Sequence, residues 1–172
     1  KLMAGSWGTL GVLTEASLKV LPAPEAVAVL VLEGLDDARA VEAMTRALGS
    51  PFDVTGAAHG TMGTLVRIEG FAQSVAYRAE RLTAILAPFG AARVERDPGT
   101  AAALWRGVRD VAPFHGVPGD VWRLSVRPSA AAALVARAGA RGALYDWGGG
   151  LVWLLMPEGE DLRVRLGPLD GH

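Results

Sequence analysis

An α+β domain built on an antiparallel sheet is the fold this chain predicts, and three observations predict it. Short β-type runs and helical stripes follow the order βαββαβ between Val27 and Arg96, turn residues separate them, and after one further helix the order βαββ begins again. The expected architecture is a ferredoxin-like βαββαβ unit followed by a partial second copy, an antiparallel sheet with helices on one face.

Val27 to Glu33 is rich in valine and leucine and reads as a buried strand. Asp36 or Asp37 caps a helix with Ala38, Val41, Met44 and Leu48 on one stripe, ended by Gly49 and Pro51. Asp53 to His59 and Met62 to Glu69 form a hairpin around Gly60. Phe71, Val75, Leu82, Ile85, Leu86 and Phe89 mark the stripe of a long helix stopped by Gly90, and Ala91 to Arg96 is the fourth strand. A connecting helix, Thr100 to Val111, buries Leu104, Val108 and Val111, and Pro113, Gly116, Pro118 and Gly119 make the loop after it. Val121 to Arg127 starts the second copy, Pro128 and Ser129 open a helix that runs to Gly139, and Gly142 to Trp147 pairs with Leu151 to Met156 across three glycines.

Composition narrows the function classes. The chain has 172 residues, 51% hydrophobic and 20% charged, with a net charge of −1 and a pI near 6.3. These values argue against disorder and against a phosphate-neutralising surface, so nucleic acid is not an expected partner. Cysteine is absent, which excludes disulfides, iron–sulfur ligation and thiol nucleophiles within these residues. His59, His115 and His172 show no metal-ligand spacing, so no metal is expected. The longest apolar run, Ala26 to Leu32, is too short to span a bilayer.

The stretch with chemical rather than merely structural spacing is GSWGTLGVLTEASLKVLP, Gly5 to Pro22. Gly5, Gly8 and Gly11 recur every third residue beside Ser6 and Thr9, so the backbone can turn tightly and bring N–H groups close to a phosphate or a flavin edge. An ordinary turn is the alternative reading of the same spacing. Beyond the glycines, Gly11 to Leu21 alternates as a strand, and Pro22 and Pro24 stop it.

This string closely resembles the end of the FAD-binding domain in the vanillyl-alcohol oxidase and p-cresol methylhydroxylase flavoprotein superfamily, which reads GS-x-GTLG, a hydrophobic pair, TE and a strand. ALWRGVRDVAPF, WRLSVRP, YDWGGGLVWL and the closing DGH resemble the substrate-covering region of the FAD-binding subunit of bacterial glycolate oxidase, also called glycolate dehydrogenase. The resemblance implies that 1–24 is the C-terminal end of a FAD-binding domain and 25–172 a cap. It further implies that FAD is bound non-covalently in a longer parent, with Trp7, Gly8, Thr9, Leu10, Gly11, Val12 and Leu13 lining it. Opening at Lys1 in mid-motif, the chain reads as a piece of that parent, inactive alone.

On the same resemblance, the parent oxidises glycolate or another 2-hydroxy acid and passes electrons through a paralogous flavoprotein and an iron–sulfur subunit, in the cytoplasm or at the inner membrane through those partners. The alternative is an assembly and electron-relay subunit whose cap face is a protein interface. A homodimer through the N-terminal arm, should one form, would be an artefact of excision.

Function is expected on the sheet face left uncovered by helices. Alternation places Trp122, Leu124 and Val126 towards the helices and Arg123, Ser125 and Arg127 away from them. Thr55, Ala57, His59, Leu65, Arg67 and Glu69 are assigned to the same free face, joined by either Leu144 and Asp146 or Tyr145 and Trp147. Arg123, Arg127 and His115 are the candidates for holding a substrate carboxylate. Set against that, Arg67 with Glu69 reads as a solvated strand face, His59 as structural, His115 as loop surface, and Trp105, Trp122, Trp147 and Trp153 as core anchors.

Overall fold

A computed structural model describes residues 2–20, 22–168 and 171. Leu21 of the expected N-terminal strand and His172 and Asp170 of the closing DGH lie outside the described residues. The elements run β1 (Ala26–Leu32), α1 (Asp37–Leu48), β2 (Gly56–Gly60), β3 (Gly63–Gly70), α2 (Ala72–Leu86), β4 (Arg93–Glu95), α3 (Pro98–Arg109), β5 (Asp120–Ser125), α4 (Pro128–Ala138), β6 (Gly142–Asp146), β7 (Leu151–Met156) and α5 (Leu162–Leu166). The seven strands form one open sheet in the order β4–β1–β3–β2–β6–β7–β5, with antiparallel pairing throughout.

Local chemistry accounts for the helices. Asp36 caps α1 by accepting from the Arg39 amide at 2.8 Å, and Asp97 caps α3 by accepting from the Thr100 amide at 2.8 Å. On α1 the buried stripe is Ala40, Val41, Ala43, Met44 and Ala47, while Leu48 is exposed. On α2 it is Val75, Arg78, Ala79, Leu82 and Leu86, and Phe71 stands outside as the cap residue. Among the described residues buried Arg78 has no carboxylate partner; it donates instead to the carbonyls of Glu69 at 2.7 Å, Phe52 at 3.2 Å, and Asp53 and Ser74 at 3.4 Å. Two of these acceptors, Phe52 and Asp53, lie in the loop before β2, which Arg78 thereby ties to α2.

Helices are not confined to one face of the sheet. Ala28, Leu30 and Leu32 of β1 pack with α1 and α2, and the second half buries Leu124, Val126, Tyr145, Val152 and Leu154 with α1 and α4. The expected connecting helix, α3, lies on the opposite face, where Ala101 and Val108 cover Val29, Val31, Ala58 and Leu65. The reason is visible in AVAVLVL: β1 has apolar side chains on both sides, and both must be covered. Beyond α3, Phe114 crosses to pack on Leu144 and Leu155.

Two further expectations are corrected. Ala57 and His59 face the helices, because β2 directs Gly56, Ala58 and Gly60 to the other side. Residues 11–20 form no strand; among the described residues no neighbouring strand pairs with them, and alternation without a partner leaves the backbone groups to water.

The two halves meet at β2 and β6 through the pair His59 and Tyr145. His59 is buried, its Nδ1 is 2.9 Å from Thr64 Oγ1, and its Nε2 is 3.4 Å from Asp37 Oδ1 at the start of α1. A ring protonated at Nε2 satisfies both contacts: it donates to Asp37 and accepts from Thr64. Tyr145 Oη is buried beside Asp37 without a hydrogen bond of regular geometry, and burial, reinforced by that carboxylate, pushes the pKa of the phenol up and keeps it protonated. The hydrogen bond from His59 is the main reason the Asp37 carboxyl is held below its ordinary value, against the opposing effect of its own burial.

The folded state therefore binds the Asp37 proton more weakly than the unfolded chain, so the stabilisation is full above the ordinary carboxylate range and fades as pH falls through it. Asp37→Asn is expected to cost about 1 kcal/mol at pH 7, since Asp37 is partly solvated. Urea unfolding across a pH series should show that deficit vanish in acid; a deficit independent of pH would remove the ionic contribution.

Candidate functional site

On the α3 face, a cleft of about 1070 Å³ crosses the sheet from β1 to β5. Val27 lies at one end and Arg123 at the other, with Arg67, Gly56, Asp146 and Trp153 on the strands between; α3 forms one bank. The cleft straddles the seam between the two halves.

Its first wall is built by close approach. Gly56 sits opposite Arg67 in the β2–β3 ladder, and a Cβ there would come within 2.8 Å of the Trp105 ring. Without that atom, Trp105 of α3 lies flat on the strand. The Arg67 guanidinium stacks 4.6 Å from the Trp105 ring centre, donates to Thr55 Oγ1 and to the Thr55 carbonyl at 3.2 Å each, and lies 3.4 Å from Glu69. Arg67 is thus a fixed part of the wall, whereas the sequence reading made it solvated surface.

The second wall comes from β5, β6, β7 and the turn at Trp147–Gly149. Register places Arg123 opposite Trp153, and Leu144 on its other side. The Arg123 guanidinium lies 5.9 Å from the Trp153 ring centre and 5.7 Å from that of Trp147. Trp147 has a left-handed backbone, φ 53°, and is 60% exposed. Such a conformation costs a non-glycine residue about 1–3 kcal/mol. Asp146 holds it by accepting from the Trp147 amide at 2.7 Å. Burial pushes the Asp146 carboxyl up, opposed by that hydrogen bond and by the Arg67 charge.

Of the three candidates for carboxylate binding, only Arg123 lines the cleft. Arg127 occupies the N-cap position of α4, and His115 is on the exposed loop after Ala112–Phe114. Asp146 and Leu144 lie on the cleft side, and Tyr145 faces the helices. Trp122 packs on the helix side as expected, whereas Trp105, Trp147 and Trp153 line the cleft.

The glycine loop is apart from all of this. Gly5 and Gly8 take left-handed conformations, φ 82° and 80°, with nothing within 4 Å of where a Cβ would be, and the loop closes through the Thr9 amide to the Ser6 carbonyl at 2.9 Å. Trp7 is 96% and Val12 88% exposed, and none of Trp7, Gly8, Thr9, Leu10, Gly11, Val12 and Leu13 lines the cleft. Among the described residues, no three His, Asp or Glu side chains are placed to hold a metal ion, and no helix is long and apolar enough to cross a membrane.

Fold and site together define an α+β domain whose open antiparallel sheet carries a tryptophan- and arginine-lined cleft on the face shared with α3. Over 155 residues, 90% of its length, the chain is 35% identical to the glycolate oxidase subunit GlcE of Escherichia coli (strain K12). It spans 39% of the length of that relative. No family model matches the chain.

Asp146 provides a direct probe of the second wall. Its folded-state proton affinity is raised, so ionisation weakens the fold as pH rises through the carboxylate range. Asp146→Asn keeps an acceptor for the Trp147 amide and removes the charge. The variant is expected to melt above wild type at pH 7, the gap closing as pH falls to about 4; a lower melting temperature at pH 7 would contradict this.

Proposed function

We propose that the chain is part of an FAD-linked subunit of a glycolate-oxidase-type enzyme, a flavoprotein that oxidises a 2-hydroxy acid such as glycolate. In this reading 1–24 is the end of the FAD-binding domain and 25–172 the cap, in a hetero-oligomer with a paralogous flavoprotein and an iron–sulfur subunit. The assembly is cytoplasmic or held at the inner membrane through those partners. The observation that carries the reading is the 35% identity to a glycolate oxidase subunit, extending over 90% of the chain. The cap is read as a duplicated ferredoxin-like unit, supported by the recurrence of the order β1–β3–β2 as β5–β7–β6.

The residues of the loop fit a flavin in one respect: at Gly5 and Gly8 the backbone is bare of side chains and approachable. Trp7 to Leu13 would hold the cofactor through backbone groups. Bound flavin supplies the two-electron acceptor. The chain's own contribution is positional, with Arg123 offering a guanidinium to the substrate carboxylate and the three tryptophans excluding water.

A second reading, a non-catalytic assembly and electron-relay subunit with the cleft as a protein interface, is favoured by the separation of Arg127 and His115 from Arg123. The two readings part on the full-length parent co-expressed with its partners. Flavin content and bleaching by glycolate are compared between wild type and Arg123→Ala. Loss of bleaching by at least about tenfold, with flavin content intact, is expected if Arg123 holds substrate. Unchanged bleaching assigns the cleft to assembly, and a complex without flavin contradicts the cofactor role of Gly5 to Leu13.

A further inference from the structure

The charges in the cleft are unevenly committed. Glu69 lies 3.4 Å from Arg67, Glu25 accepts from the Ala72 amide at 3.4 Å, and Asp146 accepts from the Trp147 amide. Arg109 is paired with Asp110 at 2.7 Å. Arg106 on α3 and Arg123 on β5 remain, and among the described residues neither has a carboxylate within ion-pairing distance. Both are exposed, so they cost little to leave unpaired and are available to a partner.

Shape restricts what that partner can be. The cleft passes over β1, β3, β2, β6, β7 and β5, and five interstrand spacings of about 4.8 Å make it about 24 Å long. A two-carbon acid fills a small fraction of such a trough; an extended polypeptide of about seven residues, at about 3.3 Å each, matches its length. The lining between the arginines is aromatic, with Trp105 and Trp153 on facing walls and Trp147 held exposed in a strained conformation. Aromatic anchors and arginines are the residue types that dominate binding energy between proteins.

We propose that this cleft docks an extended segment of a partner subunit, with two carboxylates that meet Arg106 and Arg123 and apolar or aromatic side chains between them that lie on the tryptophans. The proposal deepens the assembly reading above and rests on the chain being part of a multi-subunit complex.

The test uses the full-length parent assembled with its partner subunits, carrying the photo-crosslinker p-benzoylphenylalanine in place of Trp147. Irradiation is expected to link that position to one partner segment that has two carboxylates within about seven residues. Arg106→Glu with Arg123→Glu is expected to lower co-purification of that subunit by about tenfold or more, and arginines in place of the segment's carboxylates to restore it. Both positions are exposed, and unchanged flavin content in the variant confirms that the parent has folded. Cross-links confined to the same chain, to a second copy, or to a segment without carboxylates overturn the proposal, as does co-purification unaffected by the double charge reversal. Absence of flavin from a complex that still cross-links as expected contradicts the flavoprotein reading and leaves the docking site standing.

Discussion

The seam between β2 and β6 is the constraint on which the rest depends. Each half of the sheet has a core of its own, and the backbone register that joins them is the pair His59 and Tyr145. One such pair is little on which to hang a seven-stranded sheet. It is reinforced from the helix side, where Val41 and Met44 of α1 enter the core of the second half and Asp37, from the same helix, receives the His59 hydrogen bond. Helix α1 is thus a bracket across the joint, apolar along its length and ionic at its first turn. Buried polar groups on a seam are costly unless satisfied; His59 is satisfied by Thr64 and Asp37 of its own half, and the buried Tyr145 Oη of the other half lies beside the same carboxylate.

What the seam holds together on its other side is the cleft. Trp105 and Arg67 belong to the first half, Asp146, Trp147, Trp153 and Arg123 to the second. A slip of one residue at β2 would turn Gly56 away from Trp105 and bring Ala57 into its place. The sequence places a glycine where the ring lies flat and a left-handed tryptophan at the facing wall. The conformational cost at Trp147 is met by the Asp146 cap, so the exposed ring is a maintained feature of the turn rather than slack in it.

Much of the fold was legible because periodicity reports burial directly. The strands at β1, β5 and β7 and the helices α1, α2 and α4 fall where alternation and capping residues put them, with ends displaced by up to three residues. The side on which α3 packs was less accessible, although the unbroken apolar run of β1 signals cover on both faces. The orientation of Ala57 and His59 could not be read from β2 itself, since GAAHG has too little contrast between its two sides. Of the site, Arg123 was found through its alternation with Trp122 and Leu124. Arg67 was discounted because its partner, Trp105, is 38 positions further on in sequence, in another element. The grouping of Arg67, Trp105, Asp146, Trp147 and Trp153 arises from strand order, which no local pattern encodes.

The glycine loop and the cleft are brought into one account by their covering: both are exposed here, and a flavoprotein assembly would cover both. Backbone hydrogen exchange compares the 172-residue chain with the same residues in the full-length parent assembled with partners and flavin. The account predicts slowed exchange at Trp7 to Leu13 and along the cleft rim from Asp146 to Gly150, with β1 and β3 protected equally in both. Exchange at these two stretches as fast in the assembly as in the isolated chain would contradict it.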